Sequence, residues 1–156
     1  MTPDLKLEDL AKRLKSGDRL MGIDLGSKTI GVAISDVGRQ IATPLEVIAR
    51  GKFATDVAQL LSIAARERVG GIVLGLPVNM DGREGPRAQS TRAFARNLSR
   101  LSPLPLILWD ERLSTAAVER VLIESNRSRA RRAEIVDKLA AAYILQGALD
   151  RLSRLA

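Results

Sequence analysis

The stretch GIDLGSKTIGVAISD, Gly22 to Asp36, constrains the fold of this chain more than any other part of it. Two aliphatic runs, 19–25 and 29–36, read as strands joined by the tight turn Gly26-Ser27-Lys28, a hairpin signal. Inside the first run sits Asp24, between Ile23 and Leu25. Alternation sends those two neighbours to one face and Asp24 to the other. Gly26 lets the backbone turn tightly and leaves space beside the carboxylate. An ionised carboxylate among aliphatic residues is costly unless a cation or hydrogen-bond donors meet it. Two accounts fit locally: a turn aspartate bonded to nearby amides, or a carboxylate placed to meet a cation.

The rest of the chain reads as strands and helices around that hairpin. Leu7, Leu10, Ala11 and Leu14 follow helical spacing, which predicts a short helix before the first strand. A third strand near Gln40 to Ile48 contains Pro44, which fits an edge position. Phe53, Val57, Leu60, Leu61 and Ala64 make a helix stripe. IVLGL, after Gly70-Gly71, is a short apolar run of the buried parallel type. The polar loop PVNMDGREGPR leads to a helix over roughly 86–100, with Ala88, Thr91, Ala95 and Leu98 inward. LPLILWD is the fifth strand, and helices near 115–124 and 133–151 follow, separated by the arginine-rich SNRSRARR. The order predicts an α/β domain: a five-stranded mixed sheet flanked by helices. Residues 1–18 are expected to form a helical extension, and 19–156 a single domain.

Composition then removes chemistries. The chain has no histidine and no cysteine. Ser-His and Cys-His nucleophiles, a histidine base and the usual zinc ligands are excluded, as are disulfides. Carboxylates, lysine, tyrosine or a bound metal remain, and carboxylates alone suit hard cations such as Mg²⁺ or Mn²⁺. No apolar run approaches a membrane span and no signal-peptide pattern opens the chain, so the expectation is a cytoplasmic protein with no membrane partner. The net charge of +7, mostly arginine, favours a polyanionic partner, with nucleic acid the commonest.

Two further carboxylate sites stand out beside Asp24. Asp137 continues the face of Ala141, Ile144 and Ala148 on the last helix, so it is expected to point toward the sheet. Asp110 and Glu111 end the fifth strand. Neighbouring residues on a strand face opposite ways, so at most one of this pair easily joins Asp24 and Asp137. The other is expected in a structural hydrogen bond or an ion pair with Arg112. Spacing does not choose between them. Three such acids converging on one face would make a divalent-metal site able to act on phosphodiesters, with one ion or two.

Three segments, GIDLGSKTIGVAISD, IVLGLPVNMDGREGPRAQSTRAFARNL and WDERLSTAAVERVLIES…VDKLAAAYILQGALD, closely resemble the YqgF family, also called RuvX. The resemblance covers nearly everything from Met21 to Leu152. It implies a ribonuclease H-like fold and a nuclease that processes the 5′ end of pre-16S rRNA, or a Holliday-junction-resolvase-like enzyme. It also implies that Asp24 is the first-strand acid, Glu111 the second and Asp137 the last-helix acid, which breaks the tie between Asp110 and Glu111. The chain departs from the related resolvases at the end of the fourth strand, where they carry an acid and it has Gly75-Leu76-Pro77. Glu111 must then reach the metal from the neighbouring strand.

For the nucleic acid, a structured RNA precursor or branched DNA, the candidate contacts are Lys28, Arg92 and Arg96, and Arg127, Arg129, Arg131 and Arg132. Arg92, Arg96 and Arg100 recur every four residues on one helix face, and the second group is expected in the loop before the helix of Asp137. Aromatics make up only 3% of the chain, so recognition should rest on backbone charge rather than base stacking. Two rivals remain. Asp24, Gly26 and Gly31 also match the D-x-G-x-x-x-x-G phosphate loop of actin-like ATPases and sugar kinases, although those enzymes clasp nucleotide between two such domains. The other is a non-catalytic nucleic-acid-binding module on the same fold.

Overall fold

A computed structural model describes residues 5–113 and 129–155, and for 129–137 the backbone only. Helix α1 (Leu7–Arg13) precedes strands β1 (Arg19–Leu25), β2 (Thr29–Ser35) and β3 (Ala42–Ala49). Helix α2 (Phe53–Arg66), strand β4 (Val69–Leu76), helix α3 (Pro86–Leu101) and strand β5 (Leu106–Asp110) follow. A single 3₁₀ turn, Glu111–Leu113, leaves β5, and the long helix α4 (Arg129–Leu155) ends the chain. Among the described residues no helix is long and apolar enough to cross a membrane.

The five strands form one mixed sheet in the order β3-β2-β1-β4-β5. β1 pairs antiparallel with β2 and parallel with β4, so the strand bearing Asp24 is central. β3 lies at an edge, as Pro44 requires, and the ladder shifts register where Pro44 meets Ala33. Strand alternation divides the core into two layers. Met21, Ile23, Val32, Ile72 and Leu74 pack on one face, against Leu60 of α2 and Phe94 and Leu98 of α3. Leu20, Ala33, Val73 and Ile107 pack on the other, against Ala141, Ile144, Leu145 and Ala148 of α4. α1 adds Leu7 and Leu10 to this second layer.

Helix α4 lies very close to β1. A Cβ placed on Gly22 would lie 2.7 Å from the Leu145 Cβ and 2.8 Å from the Ala141 carbonyl oxygen. The small residues Ala140, Ala141 and Ala142 on α4 permit the same approach from the helix side. One expectation needs correction. Arg129, Arg131 and Arg132, expected in a loop, belong to the first turns of α4. Arginine and alanine are both good helix formers, so RARRA extends the helix instead of interrupting it. Arg127 and the helix expected over 115–124 lie outside the described residues.

The contact at Gly22 yields a stability prediction. Gly22→Ala should lower the unfolding free energy by about 1–3 kcal/mol, the usual cost of overpacking a filled core. Urea denaturation followed by far-UV circular dichroism measures it. An unchanged midpoint would mean that α4 sits further from β1 than described.

Candidate functional site

Asp24 ends the central strand on the face covered by α4, and only 3% of its surface is exposed. Its cross-strand partner on β2 is Gly31. On the other side Ile23 pairs with Leu74, so Asp24 and Gly75 follow one residue on. The carboxylate therefore has a glycine on each flanking strand.

Glu111 opens the 3₁₀ turn after β5, where Trp109 pairs with Gly75 and Asp110 with Leu76. Its side chain turns back over β4. A Cβ on Gly75 would lie 3.1 Å from Glu111 Oε1 and 3.3 Å from its Cγ, and 2.5 Å from Ile144 Cδ1 of α4. The missing side chain at 75 thus gives Glu111 a passage under α4 toward the strand of Asp24. The departure noted at Gly75-Leu76-Pro77 is the feature that admits an acid from the next strand.

Asp110 is occupied elsewhere. Its carboxylate accepts from Arg112 Nη2 at 2.7 Å, from Nε at 3.1 Å, and from the Arg112 backbone N–H at 2.9 Å. The guanidinium bonded to it holds the Asp110 carboxyl below its usual range, and the pair holds Arg112 above its own. The two neighbouring acids therefore differ in surroundings: one is in an ion pair, the other lies over the glycine of β4.

Asp137 lies in α4, one helical turn before Ala141, the residue packed over Gly22; its side chain is outside the described residues. Leu149, toward the other end of the helix, shares a layer with Leu7 and Leu10 of α1. The N-terminal part of α4 thus runs toward the end of β1 that bears Asp24.

Among the basic candidates, Lys28 is exposed in the hairpin turn and Arg96 is exposed on α3. Arg92 is already engaged within the protein. It makes a bidentate pair with Glu84, at 2.6 and 2.7 Å, which holds the Glu84 carboxyl low and matches the arginine's charge. Two arginines that periodicity did not single out, Arg50 and Arg87, lie at the hairpin end of β1. Arg87 borders a cavity of about 310 Å³ shared with Glu111, Asn79 and Pro77. It also borders a second cavity of about 280 Å³, shared with Arg50 and the hairpin residues Gly26 and Ser27.

Residues 18–151 match the family model described as "RuvX: Holliday junction resolvase". A Rhodobacter capsulatus protein, provisionally named a pre-16S rRNA nuclease, is 61% identical over 149 residues, covering 96% of this chain and 94% of the relative. A Rhizobium meliloti protein with the same provisional name is 57% identical over 152 residues, covering 97% and 92%. The structure of Thermus thermophilus RuvC in complex with a Holliday junction substrate covers 86% of this chain and 96% of its own, with a TM-score of 0.53 at 14% identity. At that identity the likeness shows a shared ribonuclease H-like fold.

The Asp110–Arg112 pair generates a pH prediction. A carboxyl held low in the folded state adds stability above its unfolded value, near 3.8, and loses it as pH falls through the folded value. Asp110→Asn should therefore be less stable than the parent at neutral pH and converge with it under acid. Urea midpoints between pH 7 and pH 2.5 test this. An offset that stays constant across the range would contradict it.

Proposed function

The chain belongs to the RuvX family, and from that premise we propose that it is a divalent-metal-dependent nuclease that processes the 5′ end of pre-16S rRNA during ribosome biogenesis. One observation carries the reading: Glu111 crosses the side-chain-free position 75 on the face that buries Asp24. The chain offers no histidine or cysteine, and these acids present only oxygen donors, a set that fits Mg²⁺ or Mn²⁺. Asp24 and Glu111 would hold the metal, with Asp137 of α4 as the third carboxylate. When bound, the metal supplies Lewis-acid polarisation of the phosphate and activation of water.

The chain's own residues set the geometry. Asp24 is fixed by a central strand between Gly31 and Gly75, and the space over Gly75 is taken by Glu111 and Ile144. Glu111 comes from a one-turn 3₁₀ segment against Ile144, so an apolar side chain of α4 borders its approach to the centre. Lys28, Arg96 and the arginines at the start of α4, Arg129, Arg131 and Arg132, supply charge for the phosphate backbone, together with Arg127. Cleavage of branched DNA is the second reading, favoured by the family description and by the fold shared with RuvC.

The test compares cleavage of a pre-16S transcript, a plain single strand and a four-way DNA junction in Mg²⁺, Mn²⁺ or EDTA. We expect cleavage of the transcript with metal and none with EDTA. Asp24→Asn and Glu111→Gln keep shape but lose charge, and should each reduce the rate on the order of 10²-fold or more. Asp110→Asn should stay within a few-fold of the parent. Cleavage in EDTA, or full activity in folded Asp24→Asn, would overturn the mechanism. Preferential cutting of the junction would select the second reading. ATP hydrolysis indifferent to nucleic acid would point to phosphotransfer instead.

A further inference from the structure

The carbonyl end of β1, immediately beyond Asp24, is where two guanidinium groups meet. Arg50 Nη1 donates to the Gly26 carbonyl at 2.6 Å, and Arg87 Nη2 reaches the Leu25 carbonyl at 3.5 Å. Each contact uses one of five N–H donors on a planar fork and leaves the others available. Gly26, Ser27, Ser90 and Thr91 complete the wall of the 280 Å³ cavity between them.

Among the described residues, the arginines of this corner lack the acid partners that several others have. Arg19, Arg66, Arg92 and Arg112 each have a carboxylate partner. Among the described residues, Arg50 and Arg87 have only the two carbonyls. Helix α3 begins at the same corner, at Pro86. Its N-cap is Gly85, and its first turn holds no acid. First turns generally favour acids because the helix dipole is positive there. Gly85 and Pro86 line the 310 Å³ cavity of Glu111, while the two arginines share the 280 Å³ cavity beside it, where paired guanidinium groups suit an anion. Arg87 also borders the cavity of Glu111, so the two cavities adjoin along one side chain.

We infer that Arg50 and Arg87 form a phosphate clamp, holding a backbone phosphate of the nucleic-acid strand beside the one that meets Asp24 and Glu111. This rests on the nuclease reading above and adds a contact to it. The clamp fixes the register of the strand through charge and fork geometry and is indifferent to base identity.

The experiment uses RNA oligonucleotides of the 16S 5′-junction sequence, each with one neutral methylphosphonate linkage at a different position. Binding is measured in Ca²⁺, and cleavage of the unmodified RNA in Mn²⁺. One linkage should weaken binding to the parent protein by about tenfold. Arg87→Gln should bind unmodified RNA about tenfold more weakly and no longer distinguish that linkage. Its salt slope should fall by about 0.7, the share of one phosphate contact on a single strand. Arg87→Lys should recover part of the affinity through charge alone. Asp24→Asn should keep the parent's sensitivity to that linkage. Arg50→Gln should behave as Arg87→Gln does, with circular dichroism reporting whether the hairpin turn survives.

The clamp is wrong if Arg87→Gln binds like the parent, or binds weakly while still sensing the same linkage. Parent protein that shows the linkage signature but cleaves nothing would overturn the nuclease reading and support the clamp. Parent protein that cleaves, with Arg87→Gln unaltered in binding, would overturn the clamp alone.

Discussion

Glu111 can turn back over β4 because position 75 has no side chain to block it. A Cβ there would lie 2.5 Å from the tip of Ile144 and 3.1 Å from Glu111 Oε1, so the Ile144 side chain would have to move and Glu111 would be crowded. The same requirement reaches the helix, because Ile144 belongs to the stretch of α4 that rests on Gly22. The sheet, the acid from the strand beyond β4 and the covering helix are thus coupled through two glycines on adjacent strands. Substitution at Gly22 would press on the α4 backbone itself, whereas substitution at Gly75 would press on the side chains of Ile144 and Glu111.

The burial of Asp24 follows from its position. A carboxylate 3% exposed on a central strand sits where ionisation is expensive without compensation. In the proposed function a divalent cation would supply it, and two arginines add longer-range positive charge at the strand's carbonyl end. The net charge of +7 is accordingly not spread evenly in its effects. Some arginines are matched in ion pairs, Arg19 at the start of β1 among them, whereas Arg50 and Arg87 at its other end meet carbonyls.

Much of this could be read without coordinates, for identifiable reasons. The five strands were legible because their aliphatic runs are bounded by glycine and proline, and Asp24 was conspicuous for breaking one of them. The choice between Asp110 and Glu111 was not legible from spacing. Leu106, Ile107, Leu108 and Trp109 are all apolar, so nothing in β5 marks which parity faces α4. The route over Gly75 depends on register between strands that are distant in sequence. Arg92 was singled out by its four-residue repeat, yet Glu84 folds back across the start of α3 to meet it, a contact outside helical spacing. Arg50 and Arg87 belong to no repeat and are neighbours only through topology. The arginines at 129–132 were assigned to a loop on charge density, where helix propensity prevailed.

In the proposed metal centre Asp24 and Glu111 share an ion and Asp110 does not. Mn²⁺ titration followed by electron paramagnetic resonance reads that directly, without any substrate. The parent and Asp110→Asn should bind Mn²⁺ alike, and Asp24→Asn and Glu111→Gln should each weaken binding by about tenfold or more. Mn²⁺ binding that survives in Glu111→Gln but is lost in Asp110→Asn would contradict the account.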